Sequence, residues 1–189
     1  MPRELRPETP GGVHHVFART VHRQDLFTDD VDRRRYLTLL AGVVSRCRWS
    51  CLAYCLMPNH VHLVVETPQV NLGRGMQQLH GDYGRMFNRR HDRPGHLFQG
   101  RFGSVLVRDD AQMWAVAAYV AVNPVEAGLC RAPEDWRWSS HAATIGVAEA
   151  PPWLDVARLL WHFGGTGGEP RAQYGAYVAD RLARPSRAA

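Results

Sequence analysis

In the stretch "CLMPNHVHLVVETP", residues 55–68, two histidines stand one residue apart inside an apolar run. The Val and Leu content reads as a strand, in which positions i and i+2 point to the same face. Val61, Leu63 and Val65 then share one face, and His60 and His62 stand side by side on the other. On a helix the two would lie about 200° apart and could not meet. Two imidazoles so placed are either an ordinary pair on a half-exposed strand or a metal site short of at least one ligand.

A second pair lies in "RDDAQMWAVAAYVAVNP", residues 108–124. Here Met113, Val116, Ala117 and Val120 recur as an apolar helical stripe, and Tyr119 and Asn123, at i and i+4, fall one turn apart on a neighbouring face. A phenol can act as a nucleophile and an amide oxygen can ligate a metal. The plainer alternative is a boundary tyrosine and an Asn that ends the helix before Pro124. Among rival tyrosines, Tyr83 aligns with Met76, Leu79 and Phe87, which suits a core position. Tyr36 has the same pattern in its helix, Tyr54 sits on a strand beside cysteines, and neither Tyr174 nor Tyr177 has a potential metal ligand at i+4.

The elements that must position these residues follow from periodicity and breakers. "GGVHHVFARTV" reads as a first strand and "TDDVDRRRYLTLLAGVVSRC" as a helix, capped by Thr28 or Asp29 with acidic residues in its first turn. "RWSCLAYCL" and "VHLVVE" form a hairpin across the short turn "MPN". "NLGRGMQQLHGDYGRMFNRRH" is a second helix, "FQGRFGSVLV" a fourth strand, and a third helix runs to Pro124 as its stop. The order β-α-β-β-α-β-α predicts an α+β fold. It is a ferredoxin-like split β-α-β-β-α-β antiparallel sheet with helices on one face, the other face being left to carry a site. The domain is expected over residues 10–146, with residues 147–189 a loosely helical C-terminal appendage whose final helix lies around "RAQYGAYVADRLA".

Bulk properties narrow the function. A chain of 189 residues suits one domain with a sizeable core. No run reaches the length of a membrane span and the N-terminal lead lacks a signal peptide's apolar stretch, so a cytoplasmic protein is expected. Cys47, Cys51, Cys55 and Cys130 form no CxxC pair, which fits reduced thiols and argues against a zinc site. The net charge is +5 and every basic residue except histidine is arginine. That sign favours a polyanionic partner.

Taken together, "MPNHVHLVV", "GHLFQGRFGSVLV" and "YVAVNPVEAGL" resemble the single-tyrosine HUH transposases, in particular the REP-associated tyrosine transposases. The opening "PGGVHHVFARTVHRQDLFTDD" and the later "DWRWSSH" are similar to the same subfamily, so the resemblance covers roughly residues 10 to 146. It implies that His60 and His62 are metal ligands, that Tyr119 is the nucleophile, and that Asn123 fills the further ligand position one turn later. It also implies a divalent ion, Mg²⁺ or Mn²⁺. The implied reaction is cleavage and transfer of hairpin-forming single-stranded DNA (REP-like palindromes) through a 5′-phosphotyrosine.

Arg85, Arg89, Arg90, Arg93, Arg101 and Arg108 are the candidate contacts to the DNA backbone. Trp136 and Trp138 offer either base-stacking surfaces or core packing. A monomer or weak homodimer is expected. Two other functions compete with this one. A hairpin-binding relative that no longer cuts has no need of all four site residues. A hydrolase of small phosphoesters sits poorly with the basic surface and the lack of an acidic metal cluster.

Overall fold

The computed structural model describes residues 9–21, 24–164 and 169–184; the first eight residues of the lead and the last five of the tail lie outside that range. The chain runs through β1 (Gly12–Arg19), α1 (Asp30–Cys47), β2 (Ser50–Leu56), β3 (His60–Thr67), α2 (Leu72–Arg90), β4 (Gly103–Val107) and α3 (Asp110–Glu126). Shorter helices follow: α4 (His141–Thr144), α5 (Val156–Trp161) and α6 (Pro170–Ala183). The strands form one antiparallel sheet in the order β2-β3-β1-β4, as the split β-α-β-β-α-β pattern predicts.

Alternation along the strands sorts the side chains into two cores. Val16 and Ala18 of β1 and Val61, Leu63 and Val65 of β3 face α1 and α2, meeting Tyr36, Leu40, Met76, Leu79, Tyr83 and Phe87. Val13 and Val64 face the other way, where a bulge between Cys51 and Ala53 adds both Leu52 and Ala53 to the same side. Helix α1 starts where its acidic turn predicts: Asp29 is the N-cap and its side chain accepts from the Asp32 amide.

The second face is less bare than the sequence pattern implies. The apolar stripe of α3 needs a surface, and Met113, Ala117, Val120 and Ala121 find it on Val13, Leu52, Ala53 and Val64. Helix α6 then packs over α3, burying Tyr174 and Val178. The Tyr174 hydroxyl is 2.9 Å from His141 Nδ1, which ties the C-terminal helix to the body of the domain.

Pro124 does not stop α3 as the sequence reading has it. The helix continues to Glu126, and the Ala127 amide bonds to the Asn123 carbonyl at 3.0 Å. Pro124 removes one N–H and crowds the Val120 carbonyl a turn earlier, but it does so two residues from the helix end, and the turn that follows re-forms the ladder from the residues beyond it. Asn123 therefore sits inside the helix, buried, with its orientation fixed.

Candidate metal and nucleophile site

Strand β3 puts His60 and His62 on the sheet face opposite α1 and α2, and α3 crosses that face. Four residues singled out from the sequence are thereby brought together. His60 Nε2 lies 3.2 Å from Asn123 Oδ1. The His60 and His62 rings meet edge to face at 5.0 Å between centroids, and Tyr119 stands edge to face on His62 at 5.2 Å. Helical spacing set Tyr119 and Asn123 one turn apart; packing of the α3 stripe aimed both at the histidines.

Tyr83, the rival tyrosine, is fully buried on the other side of the sheet, where its hydroxyl donates to the Leu26 carbonyl at 2.6 Å. Burial pushes its phenol well above the ordinary range. Tyr36 and Tyr54 are likewise buried in that core.

A fifth residue was not anticipated. His15 Nε2 is 3.0 Å from His62 Nδ1, the two rings stack at 5.2 Å, and His15 also meets the Tyr119 ring edge at 5.9 Å. The register pairs Phe17 with His62 and His15 with Val64, so His15 and His62 are diagonal neighbours on one face. The signal in the sequence was the "HH" of β1, whose second member shares the parity of Val13. Knowing that β1 pairs with β3, and in which register, was the missing information.

The electrostatics keep these rings neutral. Burial lowers the His15 pKa to about 4. His62 is held well below the ordinary histidine value, first by burial and then by the nearby His15, His60 and Arg19. His60 is lowered by burial and by Arg19, against the opposing pull of its Asn123 contact. Neutral imidazoles are the ligating form.

Two observations test whether these residues fit a cation. His62 Nε2 is buried without a hydrogen-bond partner, an arrangement that costs about 1–3 kcal/mol if nothing meets it. A neutral His60 carries one N–H, yet two amide oxygens face it: Asn59 Oδ1 at 2.7 Å from Nδ1 and Asn123 Oδ1 at 3.2 Å from Nε2. With Nδ1–H donated to Asn59, Nε2 and Asn123 Oδ1 present lone pairs to each other, and a cation relieves that contact. The donor set fits. No cluster of three or more His, Cys, Asp or Glu suited to a metal exists among the described residues, and the donors on offer at this patch are two imidazoles and an amide.

The six candidate arginines divide. Arg90 is paired with Asp29 and with the fully buried Asp32, clamping α2 to α1, and Arg93 donates to Gln24 and lies over Phe87. These two have structural work. Arg85 is exposed and pairs with Asp82 on its own helix, while Arg89, Arg101 and Arg108 are exposed. Trp138 is buried, and the Trp136 indole donates to the Leu56 carbonyl, with Arg33 lying over both rings. Both therefore pack rather than present stacking faces.

This sheet, with two histidines on one strand and a tyrosine and an asparagine on the crossing helix, coincides with a family match over residues 11–123, described as transposase IS200 like. The chain belongs to the IS200-like transposase family. A Haemophilus influenzae protein described as a REP-associated tyrosine transposase is 29% identical over 100 residues. The matched stretch spans 47% of this chain and 57% of that relative's own length. A solved structure of a REP-associated tyrosine transposase bound to a REP hairpin superposes with a TM-score of 0.69 at 17% identity, covering 80% of this chain and 89% of that one. That likeness confirms the fold. No helix among the described residues is long and apolar enough to cross a membrane.

Proposed function

We propose that this transposase-family chain cuts and transfers hairpin-forming single-stranded DNA through a covalent 5′-phosphotyrosine at Tyr119. The observation that carries this reading is the convergence of Tyr119, His60 Nε2, Asn123 Oδ1 and the unpartnered His62 Nε2 on one patch. A structural relative bound to a REP hairpin supports hairpin DNA, REP-like palindromes included, as the substrate class. The reading places the chain in the cytoplasm, as a monomer or weak homodimer. Residues 10–146 carry the chemistry, and within the appendage 147–189 helix α6 buttresses α3 from behind.

His60, His62 and Asn123 would hold a divalent ion, Mn²⁺ or Mg²⁺. When bound, it supplies charge relief on the phosphoryl oxygen. With no carboxylate in the set, ion affinity depends on the negative charge that the DNA phosphate itself brings. His15 acts through His62: accepting a hydrogen bond from the His62 Nδ1–H fixes the tautomer that leaves Nε2 with its lone pair. Tyr119 is the catalytic residue. Its oxygen gives up its proton and attacks phosphorus, the P–O3′ bond breaks, and the 3′-oxygen takes up a proton in turn, so the proton count is unchanged. The 5′-phosphate stays on the phenol until another 3′-OH displaces it. A phenol, with an ordinary pKa of about 10, is easier to ionise than water and leaves readily.

The test is a Tyr119→Phe substitution, which removes only the oxygen. With a hairpin oligonucleotide and Mn²⁺, wild type should give a covalent adduct on a denaturing gel and Tyr119→Phe none. Tyr83→Phe should keep the adduct. An adduct that survives in Tyr119→Phe sinks the assignment. Cleavage that depends on neither tyrosine would mean activated water, and the transferase reading fails with it.

A further inference from the structure

On the helix side of the sheet, a groove of about 940 Å³ runs between α2 and the segment 95–102. Along its α2 wall Gln77, Gly81, Gly84 and Asn88, spaced i, i+4, i+7 and i+11, form one stripe among the α2 residues that line it. Among the described residues, nothing packs close enough to the two central glycines to exclude a side chain. Both are helical, and a Cβ at Gly81 would meet nothing nearer than the flexible end of Arg85 at 3.5 Å, while one at Gly84 would first touch Leu97 at 3.9 Å. Glycine inside a helix weakens it relative to other residues. Gly75 on the same helix is different, because a Cβ there would run into the Trp49 ring. Gly81 and Gly84 instead hold open a floor on which another molecule can approach the helix backbone.

The lining states what that molecule is. Gln77 and Gln99 supply amides, Asn88 adds its Oδ1 while its Nδ2 donates to the Gly95 carbonyl at 2.7 Å, and His80 and Phe98 form a stacked pair with centroids 4.0 Å apart and planes within 17°. Arg101 stands at the rim, as does Arg85, which pairs with Asp82 on its own helix, and no carboxylate lines the groove among the described residues. Amide edges, a flat aromatic wall and cations at the rim match unpaired nucleotides: base edges for the amides, base faces for the rings, phosphates for the arginines.

The groove also leads to the candidate site. Its Gln99, Gly100, Arg101 and Phe102 line a second depression with Arg19, and Arg19 lines a third with His60. None of the three is lined by a carboxylate among the described residues.

We propose that this groove binds unpaired nucleotides of the DNA strand on its way to or from His60 and Tyr119, with Arg101 and Arg19 as the phosphate contacts between. The identity of that strand rests on the cleavage reading above; the groove's preference for unpaired nucleotides does not.

The experiment measures fluorescence anisotropy with a random-sequence single strand of about 12 nucleotides, a length within known single-strand site sizes, and with the same pool annealed as duplex. Gly84→Leu fills the floor, and Gly84→Ala removes only a glycine. Both should melt at or above the wild-type temperature, by about 2–4 °C for the alanine, because a helical glycine is being replaced. Gly84→Leu should weaken single-strand binding roughly ten-fold and leave duplex binding within two-fold. A folded Gly84→Leu that binds the single strand as wild type does overturns the proposal, as does equal weakening for both probes. Adduct formation is scored separately on a hairpin. If wild type forms no adduct while the Gly84-sensitive preference persists, the groove stands and the cleavage reading falls. If the adduct forms and the preference is insensitive to Gly84, the groove falls alone.

Discussion

Replacing His15 by Phe keeps a ring against His62 and Tyr119 and removes the nitrogen that lies 3.0 Å from His62 Nδ1. A neutral imidazole has one N–H. While His15 accepts it from Nδ1, the Nε2 lone pair of His62 is committed to the site, and without His15 the proton can move to Nε2 and abolish the ligand. Losing such an outer partner weakens a metal site about 10–100-fold, or about 1.4–2.7 kcal/mol. The same change leaves His62 Nδ1 buried without a partner, so the metal-free fold should lose about 1–3 kcal/mol. Mn²⁺ affinity is read by titrating the free-ion paramagnetic signal. The His62 tautomer is read by nitrogen NMR of the metal-free protein, which involves no turnover. His15→Gln, whose side-chain oxygen can accept from Nδ1–H, should recover most of the affinity and the wild-type tautomer. If His15→Phe binds Mn²⁺ as wild type does and keeps the Nδ1–H form of His62, His15 has no positioning role.

Asn123→Ala should raise the Mn²⁺ concentration needed for cleavage without erasing it, and Asn123→Asp should tighten Mn²⁺ in the absence of DNA by adding a charge; titrations that match wild type would return Asn123 to a packing role. Arg101→Ala should weaken single-strand binding and lower the salt slope by about 0.7, the value of one phosphate contact, in anisotropy measured across a salt series. Arg90→Ala should leave that slope alone but cost roughly 1–3 kcal/mol in chemical denaturation, since Asp32 stays buried with only Thr28 and His91. Stability should also fall with acid in a defined window. His15 and His80, lowered to about 4 and about 3 by burial, bind protons more readily unfolded than folded. Their contribution is complete above about pH 6.5 and is lost as pH falls toward those values, about 3 kcal/mol for His15, in metal-free melts. A flat profile between pH 7 and pH 4, read with about 0.5 kcal/mol precision, would contradict the buried neutral state.

Much of this site was legible in one dimension because its parts are local. The period of two put His60 and His62 on one face, and the period of 3.6 put Tyr119 one turn before Asn123. The acidic turn before α1 announced its cap, and the alternation of strand and helix fixed a split antiparallel sheet. Other features depend on pairings that no window of sequence contains. Which face α3 covers was decided by its stripe finding Val13, Leu52, Ala53 and Val64. Pro124 lies inside α3 because the bond it removes and the crowding it causes fall two residues from the helix end, where little helix remains to disrupt. His15 joined the site through the β1–β3 register, 47 residues away from His62 in the chain. The arginines looked alike in sequence; whether Arg90 clamps a buried carboxylate or Arg101 stands at a groove depends on what the fold sets beside each. A side chain's period along the chain comes from its own backbone, but its partner comes from tertiary packing, and at this site the partner determines the chemistry.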